Sequence, residues 1–182
     1  MTAQAKTYTT IEEFNRLLAD PANQDRLLEL VHGEIIEKAP TPLHAVLAGW
    51  IATLLNMYLI ENPIGIVGVE ARHDQGDDNA RLPDVSFVKG HLDSLPPNSF
   101  STMPDLAVEI KSPHDTYKRL RNKAEYYLQN GSQMVWLVFP EKDIIEVYMA
   151  GEDSEIMTIN DMLDGRNVLP GLKLPVRQVL RK

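Results

Sequence analysis

The sequence predicts an α/β protein in which helices flank a mixed central β-sheet. Three observations support this class: helical periodicity at 42–62 and 115–129, strand-like segments at 64–71, 82–89 and 105–111, and an apolar run at 133–139. A buried strand that follows a helix is typical of an α/β crossover. We therefore expect the strands on either side of the second helix to share one sheet.

The first 40 residues predict a short helix and a hairpin. A double capping-box pattern at 9–13 begins the helix, and apolar residues at helical spacing carry it over 10–19. Strand-like segments at 27–31 and 35–38 flank His32-Gly33, which favours a tight turn. This part precedes the main sheet.

The long helix is expected to begin after Thr41, because a threonine followed by proline is typical of a helix N-terminus. It ends at Asn62-Pro63. Its predicted buried stripe consists of Leu43, Val46, Leu47, Trp50, Leu54 and Tyr58.

The remaining elements follow in order. Loops are expected at 74–79 and 93–103, where Asp, Asn, Gly, Pro and Ser cluster. The second helix covers 115–129 and closes at Asn130-Gly131, and 143–149 forms a hairpin partner for the buried strand. The tail predicts short edge strands and turns.

Composition narrows the class of protein. With 182 residues we expect a single domain, divided into a helix and hairpin (1–40), a core (41–140) and C-terminal strands (141–182). The absence of cysteine excludes disulfides and thiol chemistry, and a net charge of −8 argues against bulk coating of nucleic acid. No signal peptide is evident, and the apolar run 45–60 falls short of the roughly 18 residues of a membrane span. We expect a cytoplasmic protein that does not enter a membrane.

Acidic and basic residues coincide on two of the predicted strands. Side chains alternate along a strand, so in 105–111 the apolar residues enter a core while Glu109 and Lys111 share the other face at the edge of the sheet. The same alternation separates Asp84 from the apolar residues of its strand. If the two strands are neighbours, Asp84 meets Glu109.

This set of groups suits hydrolysis of a phosphodiester. Asp84, Glu109 and the backbone carbonyl of Ile110 offer the oxygen ligands that Mg²⁺ or Mn²⁺ prefers. Lys111 can orient the attacking water and offset charge on the phosphoryl group. The alternative is structural: an acid-x-Lys triplet arises about once by chance at this composition, so Glu109–Lys111 could be a surface ion pair and Asp84 a turn cap.

Two segments then resemble a known superfamily. Segment 81–88 (Arg-Leu-Pro-Asp-Val-Ser-Phe-Val) and segment 104–113 (Pro-Asp-Leu-Ala-Val-Glu-Ile-Lys-Ser-Pro) are similar to the PD-(D/E)XK nucleases. More narrowly, the chain resembles the bacterial Uma-two family of restriction-endonuclease-like proteins. The similarity extends to the hairpin 28–36, the helix around 123–128 and the strand 135–138. It implies a restriction-endonuclease-like core.

The resemblance also implies roles. Asp84 and Glu109 match the metal-binding acids, and Lys111 matches the catalytic lysine. Many family members instead carry that lysine on the following helix, where Lys123 stands, so both remain candidates, with Lys111 favoured by its spacing from Glu109. Glu34 resembles an acid of the opening hairpin, or is a charged residue on an exposed edge.

Further candidates have stronger structural alternatives. His44 could approach the site from the long helix, but a single histidine there is more often structural or exposed. Glu70 stands on a neighbouring strand. Lys118 and Arg119 could contact phosphates, although an ordinary solvated helix face is favoured for both.

Three functions remain open at this point. The first is a Mg²⁺- or Mn²⁺-dependent endonuclease acting on DNA. The second is an inactive member of the same fold that binds nucleic acid or supports an assembly, and the third treats the carboxylates as structural groups in a subunit of something else. A homodimer is expected, because the apolar faces exceed what a lone sheet edge can hide.

Overall fold

The computed structural model describes residues 8–182, in which helices pack on both faces of a six-stranded sheet. The helices are α1 (Ile11–Ala19), α2 (Pro42–Glu61), α3 (Tyr117–Gln129) and α4 (Val176–Val179). Thr10 caps α1 with the reciprocal bonds of a capping box, as its sequence indicates. The α/β class predicted from the sequence is confirmed.

Within residues 8–182, twelve strands form three sheets. They are β1 (Leu28–Val31), β2 (Glu34–Glu37), β3 (Gly65–Val69), β4 (His73–Gln75), β5 (Asn79–Arg81), β6 (Val85–Lys89), β7 (Leu106–Ile110), β8 (Met134–Phe139), β9 (Ile144–Met149), β10 (Glu155–Thr158), β11 (Met162–Asp164) and β12 (Lys173–Pro175). The main sheet has the order β10-β9-β8-β7-β6-β3, a second has the order β2-β1-β5-β4, and β11 pairs with β12.

The main sheet is mixed, because β7 and β8 are parallel while its other neighbouring strands are antiparallel. The helix α3 makes the crossover between β7 and β8. Strand β7 therefore lies between β6 and β8 in the interior of the sheet. The prediction that it presents a site on the sheet edge is wrong.

Both faces of β7 are covered. Leu106, Val108 and Ile110 enter a core with α2 and the C-terminal elements, while Ala107 enters a second core under α3. Alternation correctly separates the two sets of side chains, but the face that carries Glu109 is buried as well. A charged group in that position needs partners.

The buried stripe predicted for α2 is partly wrong. Leu43 is 60% exposed and Val46 52% exposed, whereas the side chains that face the core are His44, Leu47, Ala48, Ile51, Ala52, Leu54, Leu55 and Leu59. By length and composition α2 could also cross a membrane, contrary to the expectation from the sequence. In the fold it packs on the sheet, as core helices with the same composition do.

The loop tip predicted at 74–79 is the turn of a β-hairpin, with strand residues at both ends of the range. Strands β4 and β5 pair antiparallel across it, and β5 also pairs with β1 at Leu30 and Ala80. Asp77 and Gly76 occupy the turn. This second sheet carries the residues that follow β5 towards the start of β6.

Candidate active site

The register of β6 and β7 places Asp84 opposite Glu109. Val85 pairs with Val108 and Ser86 with Ala107, and the same register continues to the residue before β6. Asp84 is 1% exposed and Glu109 3% exposed. The backbone N–H of Ile110 donates to Oδ2 of Asp84 at 2.6 Å, so the three residues predicted to hold a metal lie side by side.

Two groups from other elements converge on Asp84. Lys38, just after β2, donates from Nζ to Oδ1 of Asp84 and to the carbonyl of Leu82, both at 2.7 Å, and to the carboxylate of Glu70. Glu70 follows β3 with a left-handed φ of 50°, which is uncommon outside glycine. Strained backbone of this kind often occurs at functional sites.

His44 completes this side of the cluster. Thr41 caps α2, and the histidine in its first turn reaches Oδ2 of Asp84 through Nε2 at 2.8 Å. Burial lowers the pKa of His44, but the hydrogen bond and negative charge of Asp84 outweigh it, so that the pKa lies above the ordinary value. Nδ1 is buried and makes no hydrogen bond within residues 8–182.

Two side chains of α3 bind the carboxylate of Glu109. Lys123 Nζ lies 2.8 Å from Oε1 of Glu109 and 3.2 Å from Oε1 of Glu29, and Tyr127 donates its hydroxyl to Glu109 at 2.7 Å. Glu29 stands on β1, where it also accepts the N–H of Leu82 at 3.0 Å. The helix thus links the hairpin sheet to the end of β7.

Burial and neighbouring charges shift the pKa values of Asp84 and Glu109 in opposite directions. Burial raises the pKa of Glu109 to about 7 in spite of Lys123 beside it. The positive charge of Lys38 and the bond from His44 hold the pKa of Asp84 well below its usual range, although burial opposes them. Carboxyl groups with pKa values driven apart are typical of catalytic sites.

The cluster has a charge that suits a divalent cation. With every carboxyl group ionised and His44 neutral, four carboxylates (Asp84, Glu109, Glu70 and Glu29) face two ammonium groups (Lys38 and Lys123), which leaves a formal charge of −2; a protonated His44 reduces it to −1. Ligand atoms of His44, Glu70 and Asp84 all lie within 4.8 Å of one another. Oxygen donors with excess negative charge are what Mg²⁺ and Mn²⁺ bind.

A cavity of about 220 Å³ gives access to the cluster. Its lining includes Asp84, Glu109, Ile110, Lys123 and His44. A reacting group placed there would be beside both predicted metal ligands and the helical lysine.

Lys111 is not part of the cluster. Strand β7 ends at Ile110, and the lysine side chain donates to the carbonyl of Ser112 at 3.1 Å and lies 3.5 Å from Glu141. Its ammonium also lies 5.2 Å from the ring centre of Tyr117. The expectation that spacing along one strand would place Lys111 beside Glu109 fails, because the chain leaves the strand between them.

The hairpin of β1 and β2 supplies an acid to the cluster, but this acid is Glu29 and not the predicted Glu34. Glu34 begins β2 in an exposed position and lines neither of the cavities that adjoin Lys123, whereas Glu29 on β1 is buried in the cluster. Alternation could have found Glu29, since its neighbours Leu28 and Leu30 enter the core. Sequence reasoning missed Lys38 entirely.

Comparison with known proteins agrees with this fold. A family model described as "Uma2: Putative restriction endonuclease" matches residues 11–177. A crystal structure of "a putative nuclease belonging to DUF820" from Anabaena variabilis matches with a TM-score of 0.81 and 22% identity, over 94% of this chain and 97% of that one. No curated protein matches.

Proposed function

The chain belongs to the Uma2 family, and on that premise we propose that it is an endonuclease that hydrolyses phosphodiester bonds of DNA with Mg²⁺ or Mn²⁺. One observation carries the proposal: buried carboxylates with an excess negative charge surround a cavity, and a buried lysine stands beside one of them. Structural ion pairs rarely leave charge uncompensated in a protein interior.

Asp84 and Glu109 would hold the cation, together with the backbone carbonyl of Ile110. When bound, the cation would polarise the phosphate and make a water molecule more acidic. Lys38 already donates to the oxygens that converge near Asp84, which supports a cation preference at this position.

Lys123 is the better candidate for the catalytic lysine. Its ammonium group is fixed by Glu109 and Glu29 at the wall of the cavity, where it can orient water and stabilise negative charge on a phosphoryl oxygen. Glu109 binds a cation only after it loses its proton, and burial, which raises the pKa of this carboxyl group, therefore makes cation binding weaker at low pH.

The direct test is an assay on plasmid and single-stranded DNA. We expect nicking with Mg²⁺ or Mn²⁺, none with EDTA, and faster cleavage at pH 8 than at pH 6, because the raised pKa of Glu109 leaves it protonated in more of the molecules at the lower pH. A reaction that continues unchanged in EDTA would contradict the proposal.

A nucleic-acid-binding module without turnover is the alternative function. The cations that line the cavity next to α3, among them Lys118 and Arg119, support it, because such groups bind phosphates whether or not cleavage follows. DNA retained in EDTA, with no cleavage in either metal, would decide for binding alone.

A further inference from the structure

Arg81 is a buried cation that forms no ion pair within residues 8–182, although its charge acts on Glu29 at longer range. It is 5% exposed, and no carboxylate of residues 8–182 lies within 4.0 Å of its guanidinium. Nη2 donates to Oδ1 of Asn79 at 3.1 Å, and the guanidinium carbon lies 4.2 Å from the ring centre of Tyr126. Within residues 8–182, Nε has no acceptor, and the buried hydroxyl of Tyr126 has no partner other than Arg81 itself.

This arrangement is unfavourable in the free protein. A charge removed from water is normally paired or hydrogen-bonded at each of its donors, and stacking on an aromatic ring compensates only part of the loss. A half-buried arginine offers a comparison: Arg72 stacks near Phe14 and forms an ion pair with Asp74 at 2.6 Å. Arg81 lacks that carboxylate.

Arg81 lines a cavity of about 390 Å³ between α3 and the hairpin sheet. Lys118, Arg119 and Lys123 contribute further positive charge to its lining. Glu29 is the one carboxylate in that lining, and its Oε1 already accepts from Lys123 and from the N–H of Leu82. The cavity is therefore cationic in a chain whose net charge is −8.

We propose that this cavity binds a phosphate group of the nucleic acid, with Arg81 as its principal cation. It shares Glu29, Arg119 and Lys123 with the cavity of the catalytic cluster, so a strand could occupy both at once. Guanidinium groups suit phosphate because they donate in a planar fork. The choice of nucleic acid rests on the proposed endonuclease function, whereas phosphate binding itself does not.

Arg81→Gln tests the site without any cleavage. In metal-free buffer, inorganic phosphate and a single-stranded oligodeoxynucleotide should raise the melting temperature of the wild type, and the oligonucleotide should bind Arg81→Gln at least tenfold more weakly by fluorescence anisotropy. The melting temperature of the free variant should not fall, because the variant removes the cost of a buried charge without an ion pair along with its contacts to Asn79 and Tyr126. Arg72→Gln is the matched control, and it should melt lower yet keep its response to phosphate.

Binding of oligonucleotides with a 5′-phosphate is compared with binding of those with a 5′-hydroxyl. The comparison shows whether the cavity binds a terminal or an internal phosphate. A preference for the phosphorylated end that Arg81→Gln removes assigns the cavity to a terminal phosphate, while equal binding of both assigns it to an internal one. Lys118→Gln, at an exposed position of the same lining, should weaken binding by a smaller factor. An Arg81→Gln protein that responds to phosphate as the wild type does would overturn the proposal, even if the protein proves to be a nuclease.

Discussion

Asp84→Asn should reduce metal-dependent cleavage by about a thousandfold or more. The asparagine can still accept the N–H of Ile110, so the local fold is preserved, but it removes the negative charge that Lys38, His44 and a metal would share. Glu109→Gln should act in the same way. Both losses should appear as lost Mn²⁺ binding in calorimetry as well as lost turnover.

The control for these variants is Asp153→Asn, which changes an exposed carboxylate in the loop between β9 and β10. It should cleave and bind Mn²⁺ as the wild type does. Melting curves show whether each variant is folded. Undiminished Mn²⁺ binding by a folded Asp84→Asn protein would rule out the metal role of Asp84.

Lys123→Met should lower the cleavage rate by about 10²–10⁴-fold, whereas Lys111→Met should change it little. The first removes the ammonium between Glu109 and Glu29 at the cavity wall, and the second removes one that pairs with Glu141. The two variants are matched in side chain and differ only in position. Single-turnover rates at saturating DNA separate chemistry from binding.

Lys123→Met leaves two buried carboxylates without their cation, so its stability must be measured beside its activity. Lys123→Arg keeps the charge and should fold, yet it should recover only part of the rate because the guanidinium cannot reproduce the ammonium position. If Lys111→Met loses activity while Lys123→Met retains it, the catalytic role belongs to the strand end.

Local patterns in the sequence predicted the elements that depend on short-range physics. Alternation along 105–111 separated Glu109 from the core residues, and the capping signals located α1 and α2. Alternation cannot say whether a second layer covers the polar face, and here α3 does. That is why the burial of Glu109 was not foreseen. The sheet-edge expectation failed for a separate reason, the pairing of β8 with the other side of β7, while the meeting of Asp84 with Glu109 could be foreseen.

The rest of the site depends on tertiary packing. Lys123 reaches Glu109 only because α3 crosses back over β7, and Lys38 and Glu29 arrive from a separate sheet. No spacing in the sequence links residues 29, 38, 70, 84, 109 and 123. The family resemblance offered Lys123 as an alternative catalytic lysine. Lys111 was preferred because it stands two residues from Glu109 on the same predicted strand.

The hydrogen bonds that hold α2 to the C-terminal residues have a consequence for synthesis of the protein on the ribosome. Trp50 donates its indole N–H to the carbonyl of Gln178, and Tyr58 donates to that of Pro170, so the helix that carries His44 is held by residues more than 110 positions later. At roughly 5–20 residues per second, the ribosome reaches Gln178 about 6–25 s after Trp50. During that interval the C-terminal residues that pack on this apolar helix have not yet been synthesised. The nascent chain therefore exposes apolar surface to chaperones before its active site can be organised.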